Sequence, residues 1–154
     1  MIALQPMDRP MCHAFYRDFV NDPAVGHYYE FQYDPAWVDA YYDRNQSGDR
    51  QLFGIVLEGR ILGEIKLKDI DRESKTCRMG IHLQNDSVKG RGYGTQAERL
   101  ILRHAFAQMD MQTVFADAVL GNSRSRHVLE KVGFRVVGQD DTFVYYRCDR
   151  EDMV

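Results

Sequence analysis

The chain has 154 residues, the length of one domain, and 44% of them are hydrophobic and 28% charged, which excludes an intrinsically disordered chain and permits a sizeable core. A formal net charge of −3 excludes the strongly basic surface on which nucleic-acid binders depend. Neither a signal peptide nor an apolar run of membrane-spanning length occurs, so the sequence predicts a single cytoplasmic domain, residues 1–154, without a membrane or nucleic-acid partner.

The first third of the chain predicts a short strand and two helices. The strand is expected at 2–4, and the first helix from a cap at Asp8 to Val20, where a turn containing a proline follows. Asp34 precedes Pro35, a residue favoured in the first helical turn, so the second helix is expected to start there and end near residue 45.

The middle of the chain predicts a hairpin. Residues 51–57 and 61–68 flank Gly59, which suits a tight turn. In the second strand of this hairpin, alternate residues face opposite sides. One side is Ile61, Gly63, Ile65 and Leu67, and the other, more polar side is Leu62, Glu64, Lys66 and Lys68.

A glycine-rich loop follows the next strand. Apolar residues alternate with polar ones over 77–84, the period expected of a half-buried strand, and 95–109 contains no Gly or Pro and carries an apolar stripe at helical spacing. Between them lies Lys89-Gly90-Arg91-Gly92-Tyr93-Gly94-Thr95. Glycines before a helix allow close approach of a ligand to the first unpaired N–H groups, so this loop predicts an anion site.

The last third predicts a strand, a helix and a hairpin. The strand is expected at 112–120 and the helix from Asn122 to a stop at Gly133. Residues 136–137 and 142–147 complete the sheet.

The chain also has three cysteines, Cys12, Cys77 and Cys148. Their odd number and wide spacing match neither a disulfide framework nor a metal site, so we expect reduced structural thiols and no bound metal.

Two motifs decide between the kinds of ligand that a glycine loop can hold. A nucleotide-binding Walker loop needs a Gly-Lys dipeptide, which is missing, and a dinucleotide loop needs G-x-G-x-x-G rather than G-x-G-x-G. The pattern Lys89-x-x-Gly92-x-Gly94 resembles the acyl-CoA signature of the GCN5-related N-acetyltransferase (GNAT) superfamily, with Lys in the usual Gln/Arg place. The run from Asn122 to Phe134 is similar to a second motif of that superfamily.

This resemblance implies a fold and a cofactor. The fold is the acyl-CoA N-acyltransferase fold, a mixed α/β sheet in the order β-α-α-β-β-β-α-β-α-β-β, in which strands four and five splay apart to admit the pantetheine arm of acetyl-CoA. The segment 21–25 resembles the ribosomal-protein and spermidine branches. The implied cofactor-binding residues are Ile81, His82, Leu83, Lys89, Gly90, Arg91, Gly92, Tyr93, Gly94, Thr95, Asn122 and Ser125.

The resemblance also implies transfer of an acetyl group from acetyl-CoA to a primary amine by direct attack. The alternative is a non-catalytic acyl-CoA sensor of the same fold, because the family's usual acid and base are replaced here by Arg78-Met79 and Leu129. The remaining catalytic candidates are Ser125, near the departing thiolate, and His82, Glu64 and Asp117 as bases.

The acceptor stays open between a small-molecule amine, a polyamine and a protein or peptide amine. An acidic excess in residues 27–50 favours a cationic acceptor, whereas the missing strong base favours an amine of low pKa or a base acting through water. The oligomeric state is open as well, with a homodimer as one alternative.

Overall fold

The computed structural model describes residues 1–20 and 31–153, apart from the side chain of Asp86. The observed order of helices and strands is the predicted one. The strands are β1 Ala3–Pro6, β2 Gln51–Leu57, β3 Arg60–Asp71, β4 Thr76–Leu83, β5 Thr113–Val119, β6 Arg135–Gln139 and β7 Phe143–Asp149. The helices are α1 Arg9–Arg17, α2 Pro35–Arg44, α3 Tyr93–Arg103 and α4 Ser123–Val132.

The seven strands form one sheet in the order β1-β2-β3-β4-β5-β7-β6. Neighbouring strands are antiparallel except β4 and β5, which are parallel. The long crossover between β4 and β5 contains α3, as a parallel connection requires. This parallel pair therefore sits in the middle of the sheet, with the glycine loop at its open end.

Capping residues fix where the helices begin and end. The carboxylates of Asp8 and Asp34 accept backbone N–H bonds at the starts of α1 and α2, and each helix has a proline in its first turn. At the end of α4, Gly133 has φ 118°, a left-handed conformation that favours glycine. These boundaries confirm the predicted caps, although α1 ends at Arg17, earlier than predicted, and the expected turn at 21–23 lies outside the described residues.

Two hydrophobic clusters lie against the sheet. The larger one includes Ile65 and Leu67 from β3 and the apolar stripe of α3, which continues into a π-helical turn at His104–Gln108. The smaller one contains Phe15 and Tyr16 from α1 with residues of α2. All three cysteines are buried and free, as predicted.

The structure corrects the interpretation of one face of β3. Glu64 was expected on the more polar side of the strand, yet it is only 1% exposed. Helices α1 and α2 cover that side of the strand, and two of their tyrosines donate hydrogen bonds to the Glu64 carboxylate. Glu64 is therefore an interior acidic residue. Within residues 1–20 and 31–153, no helix has both the length and the apolar character needed to cross a bilayer.

Candidate active site

Strands β4 and β5 separate soon after they begin. They pair only at Thr76↔Thr113, Cys77↔Val114 and Arg78↔Phe115, although both strands continue for several residues. From Met79 to Leu83, β4 pairs on its other edge with β3 alone. In this stretch β4 is not paired with β5, and a ligand with amide groups can lie along that edge of the strand.

A cleft of about 330 Å³ lies where the strands separate. Its walls come from β4, the glycine loop, the start of α3 and one side of α4. It brings together every predicted cofactor-binding residue except Arg91, which is exposed and outside the lining. The lining residues are Phe19, Val20, Ile81, His82, Leu83, Lys89, Gly90, Gly92, Tyr93, Gly94, Thr95, Glu98, Asn122, Arg124, Ser125, His127, Val128 and Lys131.

The glycine loop presents the beginning of α3 to the cleft. Gly90 and Gly92 have φ values of 74° and 81°, a conformation that residues with a Cβ adopt only at a cost. Gly92 is the N-cap residue, and no side chain caps the helix. The first N–H groups of α3 therefore remain available, and together with the helix dipole they suit a phosphate group.

Helix α4 forms the opposite wall. The side-chain oxygen of Asn122 accepts a hydrogen bond from the backbone N–H of Ser125 at 3.2 Å, so Asn122 is an N-cap residue and also lines the cleft. Ser125 is half-buried beside it. Sequence reasoning missed three basic residues on this wall, Arg124, His127 and Lys131. Their spacing of three and four residues places them on one side of a helix, and that signal could have identified them.

Comparison with known proteins identifies the family. The family model described as "Acetyltransferase (GNAT) domain" matches residues 2–135. The chain belongs to the GNAT acetyltransferase family. Accordingly, acetyl-CoA is its co-substrate and an amine its acceptor.

Individual relatives agree with this family. The chain is 26% identical over 136 residues to a protein of Bacillus subtilis (strain 168) named "Putative ribosomal N-acetyltransferase YdaF", a match that covers 88% of this chain and 72% of the relative. The spermidine N-acetyltransferase of Vibrio cholerae, solved with CoA and spermine, superposes with a TM-score of 0.82 at 13% identity over 98% of this chain and 96% of that one. PseH of Campylobacter jejuni, solved with acetyl coenzyme A, superposes with a TM-score of 0.70 at 18% identity, over 97% and 99% of the two chains.

In this GNAT chain, two catalytic candidates lie side by side. Glu64 of β3 and His82 of β4 are opposite each other in the strand register, so their side chains share one face of the sheet. His82 lines the cleft, and its ring contacts Phe19 edge-on at a centroid distance of 5.8 Å. Burial lowers the pKa of His82, while the nearby Glu64 opposes that shift.

The Glu64 carboxylate is the centre of a buried network. Its Oε1 accepts hydrogen bonds from the hydroxyls of Tyr16 at 2.5 Å and Tyr41 at 2.8 Å, and Lys66 Nζ donates to the Tyr41 oxygen at 3.1 Å. Burial, and then the charge of Glu64, raise the pKa of both tyrosines, so both stay neutral donors. This network connects the neighbour of His82 to a lysine that is only partly buried.

The remaining sequence-based candidates lie elsewhere. Asp117 of β5 is paired with Arg78 at 3.4 Å and is not part of the cleft lining. Two of the acidic residues expected near the acceptor site, Asp39 and Asp43, are paired with Arg9. Of the segment 27–50, residues 27–30 lie outside the described residues.

Proposed function

We propose that this GNAT protein acetylates the α-amino group of a peptide or protein N terminus by direct attack on acetyl-CoA. The observation that carries the proposal is the weakness of the available base. Burial lowers the pKa of His82, and Oε1 of the Glu64 carboxylate already accepts hydrogen bonds from two tyrosine hydroxyls. Such groups suit an amine that gives up its proton easily.

The energetics of the amine distinguish the acceptors. At pH 7, neutralising a lysine-like amine of pKa ~10.4 costs about 4.6 kcal/mol, whereas an α-amine of pKa ~8 costs about 1.4 kcal/mol. A base with a lowered pKa takes a proton readily only from the second kind. Two of the acidic residues that would favour a polycation, Asp39 and Asp43, are already paired with Arg9.

The proposed reaction forms a bond between the amine nitrogen and the thioester carbonyl carbon, and it breaks the bond between that carbon and the sulfur. The nitrogen loses its proton to His82. Backbone N–H groups on the edge of β4 that faces β5 stabilise the negative charge on the carbonyl oxygen. Ser125, on the α4 wall, donates a hydrogen bond to the departing sulfur. The sulfur takes a proton from solvent and leaves as the CoA thiol, while His82 releases the amine proton to solvent.

Transfer without an acetyl-enzyme intermediate is consistent with the cysteines. Burial raises the pKa of Cys12, Cys77 and Cys148 to about 12. The thiolate, not the thiol, is the nucleophile in cysteine catalysis, so these side chains are poor nucleophiles at neutral pH. None of them lines the cleft. The amine itself is therefore the proposed nucleophile.

The proposed cofactor contacts use the two walls of the cleft. The N–H groups at the start of α3, from Arg91 to Thr95, bind the diphosphate, and the backbone of Ile81, His82 and Leu83 pairs with the pantetheine amides. Lys89 adds positive charge near the phosphates, and Asn122 lies at the N-terminal end of α4, the opposite wall of the cleft.

The test is a comparison of acceptors by release of the CoA thiol. The panel contains a peptide with a free N terminus and no lysine, the same peptide N-acetylated and carrying one lysine, and spermidine. We expect kcat/KM at pH 7.5 to be highest for the first peptide. Faster turnover of spermidine, with the free N-terminal peptide at background, would overturn the assignment. If none of the amines in the panel gave thiol release, that result would contradict it too.

A further inference from the structure

Helix α3 carries a buried acidic residue that the proposed reaction does not use. Glu98 is 2% exposed and lies on the same side of the helix as Ile101, Leu102 and Ala105, which are fully buried in the larger hydrophobic cluster. An apolar side chain is expected at such a position. A polar residue that breaks the pattern of a buried stripe commonly marks a functional site.

The carboxyl of Glu98 lacks an internal partner. Its Oε1 is buried and makes no hydrogen bond to any described residue. An unsatisfied polar atom in an interior is destabilising unless something else binds it. Burial also raises the pKa of Glu98 to about 8, so at neutral pH the group is mostly a protonated acid that can donate a hydrogen bond.

The position of Glu98 points to the ligand that completes it. Glu98 lines the cleft, and it follows Gly94 by four residues, one helical turn inside the end of α3 that faces the phosphates. The part of acetyl-CoA that continues from the diphosphate into the cleft is the pantetheine arm, which carries a hydroxyl and two amide groups. These groups offer acceptors for a carboxyl proton, whereas the diphosphate would repel a carboxylate.

We propose that Glu98 is a further cofactor-binding residue, whose protonated carboxyl donates a hydrogen bond to an oxygen of the pantetheine arm of acetyl-CoA. The inference rests on acetyl-CoA as the co-substrate and not on the identity of the acceptor amine. Failure of the acceptor assignment therefore leaves it intact, and a binding measurement without any acceptor tests it alone.

The first experiment compares Glu98→Leu with the unchanged protein by calorimetric titration at pH 7. Acetyl-CoA and adenosine 3′,5′-bisphosphate are the two probes, and the second lacks the pantetheine arm. We expect acetyl-CoA to bind about five- to tenfold more weakly to the variant, the loss of about one hydrogen bond, with the affinity for the bisphosphate unchanged. Unchanged affinity for acetyl-CoA, or an equal loss for both probes, would overturn the proposal.

Thermal unfolding without ligand distinguishes binding from a structural role. If Glu98 binds the cofactor and has no structural role, leucine at this position completes the apolar stripe of α3. Glu98→Leu should then melt at the same temperature as the parent protein or higher. A lower melting temperature together with unchanged affinity for acetyl-CoA would assign Glu98 to the fold instead.

Glu98→Gln, which keeps a donor of similar size, provides an independent test should the leucine variant not fold. We expect it to bind acetyl-CoA within about twofold of the parent at pH 7, since an amide N–H replaces the acid O–H. Between pH 6.5 and 9 the parent should lose affinity relative to this variant, because only the parent gains a negative charge at this position.

Other charged or titratable groups face the cleft from each wall, and all of them are present in both proteins. They are His82 from β4, Lys89 from the loop, Tyr93 from α3, and Arg124, His127 and Lys131 from α4. The ratio of the two affinities therefore isolates Glu98. Parallel pH profiles for parent and variant would contradict the proposal.

Discussion

The carboxylate of Glu64 and the imidazole of His82 are direct cross-strand neighbours, although only His82 lines the cleft. The carboxylate favours the protonated imidazole, and burial favours the neutral one. Burial is the larger effect, so the pKa of His82 is lowered. At pH 7 the imidazole is therefore neutral and able to accept a proton, while Glu64 is held beside it by Tyr16 and Tyr41.

We expect His82→Ala to reduce kcat by about 10²-fold, the usual contribution of a general base. Affinity for acetyl-CoA should change little, because the proposed cofactor contacts of this residue are made by its backbone. The matched control is His104→Ala. His104 bonds Gln51 on β2 at 2.8 Å and lies outside the cleft lining, so its loss should leave kcat unchanged.

The pH profile of the same variant gives a second measurement. With an α-amine acceptor, log kcat/KM should rise with a slope of about 1 below pH 8, because only the neutral amine reacts. At pH values below the lowered pKa of His82, both the amine and His82 must lose a proton before reaction, and the slope should increase to about 2. In His82→Ala the slope should remain about 1. A steepening that persists in the variant would assign the base to another group.

Gly92→Glu tests the phosphate site. A carboxylate placed at the start of α3 would meet the diphosphate, and like charges at close range cost several kcal/mol, so we expect affinity for acetyl-CoA to fall by at least about a hundredfold. The measurement is calorimetric titration of the folded variant.

Gly59→Glu is the matched control for this substitution. Gly59 has φ 80° and Gly92 has φ 81°, and a Cβ at either position would meet nothing within 4 Å. Both variants therefore carry a similar backbone strain of roughly 1–3 kcal/mol, and both should melt lower than the parent by similar amounts. Equal losses of acetyl-CoA affinity in the two variants would show that strain, not charge, is responsible.

Removal of a single hydroxyl from the Glu64 network should lower the stability. Tyr16→Phe and Tyr41→Phe each deprive a buried carboxylate of a donor, at an expected cost of about 1–3 kcal/mol in the free energy of unfolding. Urea denaturation measures this change. Tyr145→Phe is the control, because its hydroxyl bonds Asp140 at an exposed position and surface changes usually stay within about 0.5 kcal/mol.

Glu98 should make the ligand-free protein less stable in alkali. The unfolded chain releases this proton near pH 4.5 and the folded protein near pH 8. Over that interval the folded state binds more protons, so the free energy of unfolding falls as pH rises. In Glu98→Gln this decline should be absent. At pH 9 the variant should therefore melt higher than the parent, by about 2–4 °C for each kcal/mol of unfolding free energy that it retains. Identical melting profiles from pH 4.5 to 9 would show that Glu98 titrates normally.

Local signals explain why much of the site could be predicted. The glycine loop and the capped ends of α4 depend on backbone conformations that only certain residues adopt, and Gly92, Asn122 and Gly133 therefore reveal them in the sequence. The burial of Glu64 could not be predicted in this way. Its partners Tyr16 and Tyr41 lie 48 and 23 residues away, and alternation along β3 says which side a residue faces but not what covers that side.

The parting of β4 and β5 has a consequence for the protein in the cell. In the proposed binding mode, coenzyme A takes the place of a strand partner in the central sheet and leaves after each catalytic cycle. The cofactor would then also stabilise the fold. A ligand that binds only the folded chain reduces the fraction of molecules that is unfolded and can be cleaved by proteases. The abundance of this enzyme should therefore follow the supply of coenzyme A, falling by accelerated degradation when cells are starved of pantothenate.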